Sequence, residues 1–563
     1  METIEVTSKK NTGWSWVVFG LILGVGGVLR LWMLDGESLR LDEAQSIWQA
    51  SHSLEFIRAY MLKNVHLPLH NSLLHIWMTY FGSGEIAVRM FAVIPGILGI
   101  PALYVLAREF LKKEWALLAM AIAALSPFWI WYSREIRMYS LLALIVTLSY
   151  YFFFRILKRG NFWHYAGYVA INVIGIYTHY LFILAILMQV IFFLTTWRVV
   201  WNEKKPDKKQ ALIRFVIVGI IIAAAFAPWL YALINNYGSG SQAPTLDEPR
   251  SFNIFLTLFE FFVGYQPNTA TTMLVALWPF ATLIGFIFLA RRHPISDQIY
   301  FLVLATLMPI AIVYVVSKVA VPMFLSRYLI IVTPPLYIFL AWFISELKGK
   351  TRLFIMIIFG TILIGSLVNQ LTNPNVPTRE DYRAAAEFIQ DEVNPRDVVV
   401  MSPPYLLYPF QYYYQGKAQI TTIPIWDKRK GGIPQVTEEE LAKDAEIIKG
   451  NHRRIFLLVG LDLVGALQTK QYFDFHLTKL DKRQFSANLW LHVYQAEYLP
   501  EIKENEEEQQ EELIVHKVVA DETLSGIAKK YYKDASEYRK IQKINNLIDP
   551  DVISIGQILT IPR

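Results

Sequence analysis

The sequence predicts a mainly α-helical polytopic membrane protein that ends in a small extracytoplasmic α/β domain and a compact βααβ module. Three observations carry this. Of 563 residues, 54% are hydrophobic; apolar runs of spanning length recur between Trp14 and Leu371; and the hydropathy falls abruptly beyond that point.

The apolar runs are about 17 to 22 residues long and number about eleven. Each can cross a hydrocarbon core about 30 Å thick as a helix. The first, Trp14 to Leu34, follows Lys9 and Lys10, is too long for a signal-peptide core and lacks a small-residue cleavage site, so it is expected to persist as an anchor. The formal net charge of +6 is concentrated in alternate short loops: the N-terminus, Arg108 with Lys112 and Lys113, Arg155 with Lys158 and Arg159, EKKPDKK from Glu203, Arg291 with Arg292, and LKGKTR from Leu347. That pattern is a topology signal rather than a nucleic-acid footprint. It places the N-terminus in the cytoplasm and, with an odd number of spans, everything after Leu371 outside a cell membrane. There are no cysteines, which excludes disulfides and thiolate metal sites.

The expected division is 1–371 for the membrane domain, 372–498 for the α/β domain, 499–513 for a linker and 514–563 for the terminal module. TREDYRAAAEFIQDEV from Thr378 reads as an amphipathic helix with Tyr382, Ala385 and Ile389 on one face. DVVVMS, RIFLLVG and LWLHVYQA read as strands, with EEELAKDAEIIKG as a helix between the first two. EIKENEEEQQEE is acidic and nearly devoid of apolar residues, the composition of a solvated linker. The last fifty residues read as strand HKVV, helices TLSGIAKKYY and SEYRKIQKIN, a turn at IDPD and strand ILTIP.

The chemistry-bearing residues gather in the outward-facing loops. A charge at the bilayer centre costs about 2.5 to 3.5 kcal/mol on insertion scales, so ionisable groups there mark a cavity or the interface. LRLDEAQSIW carries Asp42 and Glu43; NVHLPLHNSLLHIW carries His66 and His70; YSREIRMY carries Arg134, Glu135, Arg137 and Tyr139; THY carries His179 and Tyr180; Arg327 precedes Tyr328. Arginine's planar fork suits phosphate, and a carboxylate can take a proton from an attacking hydroxyl. Displacement of a phosphate from a lipid-linked sugar needs both. Alternatively, Arg134 and Arg137 snorkel to lipid headgroups, Glu135 is an ion-pair partner, and Asp42 and Glu43 mark a loop. Trp129, Trp131 and Tyr132 read as interfacial belt residues.

From Thr523 to Pro562 the chain resembles the LysM module, through Thr523, Leu524, Ile527, Ala528, Tyr531, DASEYRKI, Asn545, Asp549, Pro550, Ile553, Gly556, Gln557 and Leu559 to Pro562. The resemblance implies a shallow groove for N-acetylglucosamine-containing glycan such as peptidoglycan. Carried over, the groove is lined by Asp521, Glu522, Thr523, Leu524 and Ser525, and by Asn546, Leu547, Ile548, Asp549, Pro550, Asp551 and Val552. Two departures stand out: Asp521-Glu522 replaces Gly-Asp, and Lys533 replaces a glycine after the paired tyrosines. Asp tolerates positive φ better than most residues, so the fold is expected to survive.

Residues 14 to 395 resemble the GT-C membrane glycosyltransferases of the protein O-mannosyltransferase and aminoarabinose transferase type. LDEAQSIW, HLPLHNSLLHIWMTYFG, GSGEIAVRMFAVIPGIL, SPFWIWYSREIRMYSLLAL, YTHYLF, SRYLIIVTPPLYIFLA and EDYRAAAEFI occur in the family's order. The resemblance implies Asp42 as general base, Glu43 as its partner for acceptor or metal, Arg134, Arg137, Tyr139 and Arg327 facing a donor phosphate, and His66, His179 and Tyr180 around the cavity. Leu67-Pro68 replaces the usual double proline, and His70 an aromatic. The implied reaction is inverting transfer from a polyprenyl-phosphate sugar to an envelope acceptor, with a divalent cation possible at Asp42 and Glu43 and with peptidoglycan and membrane lipids as partners, in a bacterial cell. Rival readings are a flippase for lipid-linked saccharide, although no internal repeat of the kind transporters show is evident, and a non-catalytic membrane-to-wall scaffold.

Overall fold

The computed structural model describes residues 12–64, 66–196, 208–236, 246–265, 296–373, 375–376, 379–429, 437–450, 452–461, 463, 465–496, 514–545, 547 and 549–562. These form two compact units, one from within 1–34 and 65–377, the other from 35–64 with 378–563.

Helices α1 (Thr12–Leu31), α2 (Leu41–Ala50), α3 (Leu54–Lys63), α4 (Leu69–Phe81), α5 (Glu85–Ala107), α6 (Lys113–Leu125), α7 (Pro127–Arg134) and α8 (Tyr139–Arg159) open the chain. They are followed by α9 (Phe162–Thr178), α10 (Phe182–Thr196), α11 (Lys208–Asn236), α12 (Ser251–Val263), α13 (Asp297–Val319), α14 (Thr333–Glu346) and α15 (Gly349–Thr372). Among the described residues, seven helical stretches are long and apolar enough to span a membrane, or eight if α6 and α7, bent by 53°, count as one. The expected eleven are therefore not all found there. α10 and α12 are apolar but short, and the apolar stretch within 266–295 lies outside the described residues.

α8 packs against α5 and α9, and its apolar run carries buried hydroxyls at its middle, Thr147 Oγ1 donating to Ala143 C=O at 2.7 Å and Ser149 Oγ to Asn172 Oδ1 at 3.0 Å. The buried core holds Tyr139, Tyr150, Phe153, Phe301 and Tyr337. Phe301 meets Phe154, Tyr150 and Phe192 edge-on at 4.9, 5.0 and 5.2 Å, the arrangement ring quadrupoles favour.

The second unit holds a five-stranded sheet of order β2-β1-β3-β5-β4, built from β1 (Val398–Ser402), β2 (Gln419–Thr422), β3 (Arg454–Gly460), β4 (Lys479–Gln484) and β5 (Leu489–Gln495). β1 pairs in parallel with β2 and β3, and β5 lies antiparallel to β3 and β4. β1 is buried throughout, which is why VVVM is continuously apolar rather than alternating. One face carries α16 (Tyr382–Glu392) and α17 (Leu407–Tyr413), the other α18 (Glu438–Lys449) and α19 (Ala466–His476). On α16 the predicted face is the buried one: Tyr382, Ala385 and Ile389, joined by Ala386, with Asp381 capping the N-terminus. β2 and β4 were not anticipated. β4, KLDKRQ, is an exposed edge whose charges hide strand character while blocking stray pairing.

α2 and α3 belong to this unit, and α2 packs on α17. The terminal module pairs β6 (Ile514–Lys517) with β7 (Ile558–Ile561) around α20 (Leu524–Tyr532) and α21 (Tyr538–Ile544), the predicted βααβ order. The linker 499–513 lies outside the described residues.

Candidate functional site

In the membrane unit, the site is built around the turn between α7 and α8. Pro127 and Ser126 start α7, Ser126 Oγ accepting the N–H of Trp129 at 3.2 Å. The chain leaves α7 at Glu135 in extended conformation and turns tightly, Arg137 N–H donating to Glu135 C=O at 2.7 Å. Arg134 Nη2 donates to Met33 C=O at 2.9 Å, so one proposed phosphate ligand is partly spent on holding the end of α1.

Tyr139 is fully buried and, with its neighbours, joins three of the predicted segments. Its ring lies 5.1 Å from Tyr132, 6.4 Å from His179 and 6.4 Å from Tyr328, and His179 and Tyr328 are 5.6 Å apart. Arg327 stacks over Tyr328 at 5.6 Å. Arg137 is an electrostatic neighbour of both His70 and His179, as exposed His66 is of His179. His179 Nδ1 accepts the N–H of Leu181 at 3.2 Å, which in the neutral ring leaves the proton on Nε2 as a donor. Tyr180 lies beside Trp229. YSREIRMY, THY, SRY and the His66–His70 segment thus meet in one place.

Sequence reasoning missed Glu260. It is the one carboxylate in the apolar stretch FLTLFEFFV; it accepts a hydrogen bond from Ser326 and shares a field with Tyr132, Glu135, Tyr139 and Arg327. An isolated acid in an apolar helix was the available signal.

Asp42 and Glu43 sit in the second unit, in the first turn of α2, where aligned peptide dipoles favour carboxylates. Their roles diverge. Glu43 is 1% exposed and accepts the Arg40 N–H at 2.9 Å, so it caps the helix; Asp42 remains half-exposed. The preceding loop is strapped down. Ser38 Oγ donates to Glu380 C=O at 2.5 Å and accepts Tyr382 N–H at 3.2 Å. Leu39 N–H donates to Tyr413 Oη at 2.7 Å. Arg383 donates to Asp35 C=O at 3.0 Å, and Arg379 pairs with Glu37 at 2.9 Å. Further along α2, Lys428 Nζ lies over the rings of Trp48 and Tyr408 at 5.1 and 5.9 Å. Among the described residues no three His, Asp or Glu side chains converge as metal ligands.

In the terminal module, Asp521 and Lys533 both adopt positive φ, 65° and 64°, the two positions where glycine was expected. Thr523 caps α20, accepting the Gly526 N–H at 3.0 Å. Glu522 bonds His516 Nε2 at 2.8 Å and Val519 N–H at 2.9 Å. Leu524 and Leu547 are core residues, not groove lining, because each supplies apolar burial to a very small module. Asp549 is buried and accepts the Asp551 N–H at 2.9 Å. Ser525 and Asp551 are exposed, while Thr523, Pro550 and Val552 are half-buried. Asn546 and Ile548 lie outside the described residues.

Residues 65–232 match the family described as dolichyl-phosphate-mannose-protein mannosyltransferase, and residues 516–562 match the LysM domain. Over 86% of its length, the chain is similar to ArnT of Cupriavidus metallidurans, covering 98% of it at 13% identity and a TM-score of 0.53. The chain has the GT-C fold. The form of that ArnT bound to undecaprenyl phosphate matches with 14% identity and a TM-score of 0.52, and the apo oligosaccharyltransferase of Archaeoglobus fulgidus with 12% identity, 86% and 75% coverage and a TM-score of 0.52. An esterase of Mycobacterium tuberculosis is 49% identical over 47 residues, which are 8% of this chain and 10% of the esterase. This GT-C protein therefore carries a mannosyltransferase-family segment in its membrane unit and a LysM domain at its C-terminal end.

Proposed function

We propose that the protein is an inverting glycosyltransferase that moves one sugar from a polyprenyl-phosphate donor to a cell-envelope acceptor outside the cytoplasm, and that its LysM domain tethers it to peptidoglycan. The observation that carries this reading is the gathering of Arg137, Arg327, His66, His70, His179 and Tyr139 from separate loops into one cationic, hydroxyl-bearing group. That group suits a lipid phosphate whose oxygens gain charge as the sugar leaves. The undecaprenyl phosphate named with the Cupriavidus ArnT supports the same donor class.

Asp42 takes the proton of the acceptor hydroxyl; that oxygen bonds to the anomeric carbon from the face opposite the phosphate; and the carbon–oxygen bond to the phosphate breaks, releasing polyprenyl phosphate. Glu43 holds the turn that presents Asp42 rather than sharing its chemistry. The LysM domain raises the local concentration of wall acceptor.

Purified protein is given a panel of radiolabelled polyprenyl-phosphate sugars with envelope extract as acceptor. Transfer by the wild type that is lost in Asp42→Asn, at equal amounts of folded protein, supports the reading and names the sugar. Donor binding with no transfer by either protein returns the flippase or scaffold.

A further inference from the structure

Arg30 ends the first span and is fully buried. A guanidinium is expensive to bury unless its donors find acceptors, and here the acceptors come from α1 itself, from the end of α6 and from α7. Nη1 donates to Gly26 C=O at 2.8 Å and Ala124 C=O at 3.1 Å, Nη2 to Ala123 C=O at 3.1 Å, and Nε to Ser133 Oγ at 3.2 Å.

The backbone explains why those carbonyls are available. In a continuous helix the N–H of residue 127 would bond Ala123 C=O, but Pro127 has no N–H, and Ser126 leaves helical conformation at φ −60°, ψ 118°. The end of α6 is thus left with orphan acceptors, and Ala123 and Ala124 are buried among the helices, so the donors must come from the protein. Arg30 supplies the missing donors from α1. Its fourth bond crosses the 53° bend to Ser133, the residue just before Arg134-Glu135-Ile136-Arg137. Close packing fixes both ends of this strut. A Cβ on Gly26 would lie 2.6 Å from Ile100 and 3.1 Å from Ala124, and one on Gly96 only 2.2 Å from Ser133 Oγ.

We infer that Arg30 is a positioning residue that fixes the α6–α7 bend and thereby the turn carrying Arg134 and Arg137, without touching substrate. The inference rests on the donor-phosphate reading only for its kinetic consequence. Arg30→Lys keeps the charge but loses the planar fork, Arg30→Met removes the donors at similar volume, and Ser133→Ala cuts the link across the bend together with the Ser133 Oγ bond to Trp129 C=O at 2.5 Å within α7.

Two measurements are made on the full-length protein in detergent: hydrogen exchange over 133–138, and the KM for polyprenyl-phosphate sugar separately from kcat, both on the folded fraction. The expected result is faster exchange of that turn in all three variants, with donor KM raised about tenfold in Arg30→Lys and Ser133→Ala. Wild-type exchange in Ser133→Ala and in whichever Arg30 variant folds overturns the inference. So does faster exchange with donor KM unchanged while Arg137→Ala raises it. If Arg137→Ala also leaves donor KM unchanged while exchange responds as expected, the positioning role stands and the donor-phosphate reading fails.

Discussion

Tyr413→Phe removes a single oxygen from the second unit, and that oxygen accepts the backbone N–H of Leu39 at 2.7 Å. Leu39 is completely buried and precedes Asp42 by three residues. Phenylalanine fills the same volume and keeps the ring beneath Arg383, whose guanidinium lies 5.6 Å away, so packing is preserved while the Leu39 N–H loses its acceptor. A buried N–H without an acceptor costs about 1 to 3 kcal/mol. If all of it falls on the conformer that presents Asp42, kcat drops by about fivefold to about 160-fold. Because the arginines lie on other segments, donor KM is expected to hold. The assay is transfer at saturating donor, paired with hydrogen exchange over residues 39–46. Wild-type kcat together with wild-type exchange in the first turn of α2 would refute the claim that the strapped loop governs the carboxylate.

Two further outcomes follow from local chemistry. Burial, reinforced by Arg429 and opposed by Asp427, pushes the Lys428 ammonium down to about 7. The unfolded chain, with a lysine pKa near 10.4, binds more protons between those values, so stability of the second unit rises with pH across that window. Lys428→Met is expected to flatten the slope, and chemical denaturation at several pH values checks it; an unchanged slope sinks the assignment. In the LysM domain, Lys533 at φ 64° bears the strain of a left-handed side chain, about 1 kcal/mol. Lys533→Gly is expected to slow hydrogen exchange of β6 and β7, and faster exchange would contradict it.

Much of this architecture is legible in the residues themselves. Apolar length alone finds the long spans. VVVM and RIFLLVG announce buried strands, and the LysM motif fixes its own βααβ order. What escapes is whatever depends on partners distant in the chain. Arg30 reads as the charged end of an apolar run until the carbonyls of Ala123 and Ala124 are placed beside it. Glu43 reads as half of an acidic pair until its bond to the Arg40 N–H shows that it caps a helix. Glu260 stands out as an acid in an apolar helix, but its neighbours Ser326, Tyr132 and Arg327 are distant in the chain; β4 is hidden by its charges, because an edge strand has only one side to bury. Leu524 and Leu547 match a binding motif whose residues serve two ends, and their burial assigns them to the core.

The strut at Arg30 also bears on how the protein is made. Ribosomes deliver α1 well before α6 and α7, so for the synthesis of nearly a hundred residues the guanidinium enters the translocon with none of its cross-helix acceptors. Its insertion is uphill by up to about 3 kcal/mol on apparent insertion scales, less where it sits near the interface. The arrival of Ala123, Ala124 and Ser133 reverses that balance. In a nascent chain halted before α6, the first span therefore carries a guanidinium that lacks all three cross-helix partners.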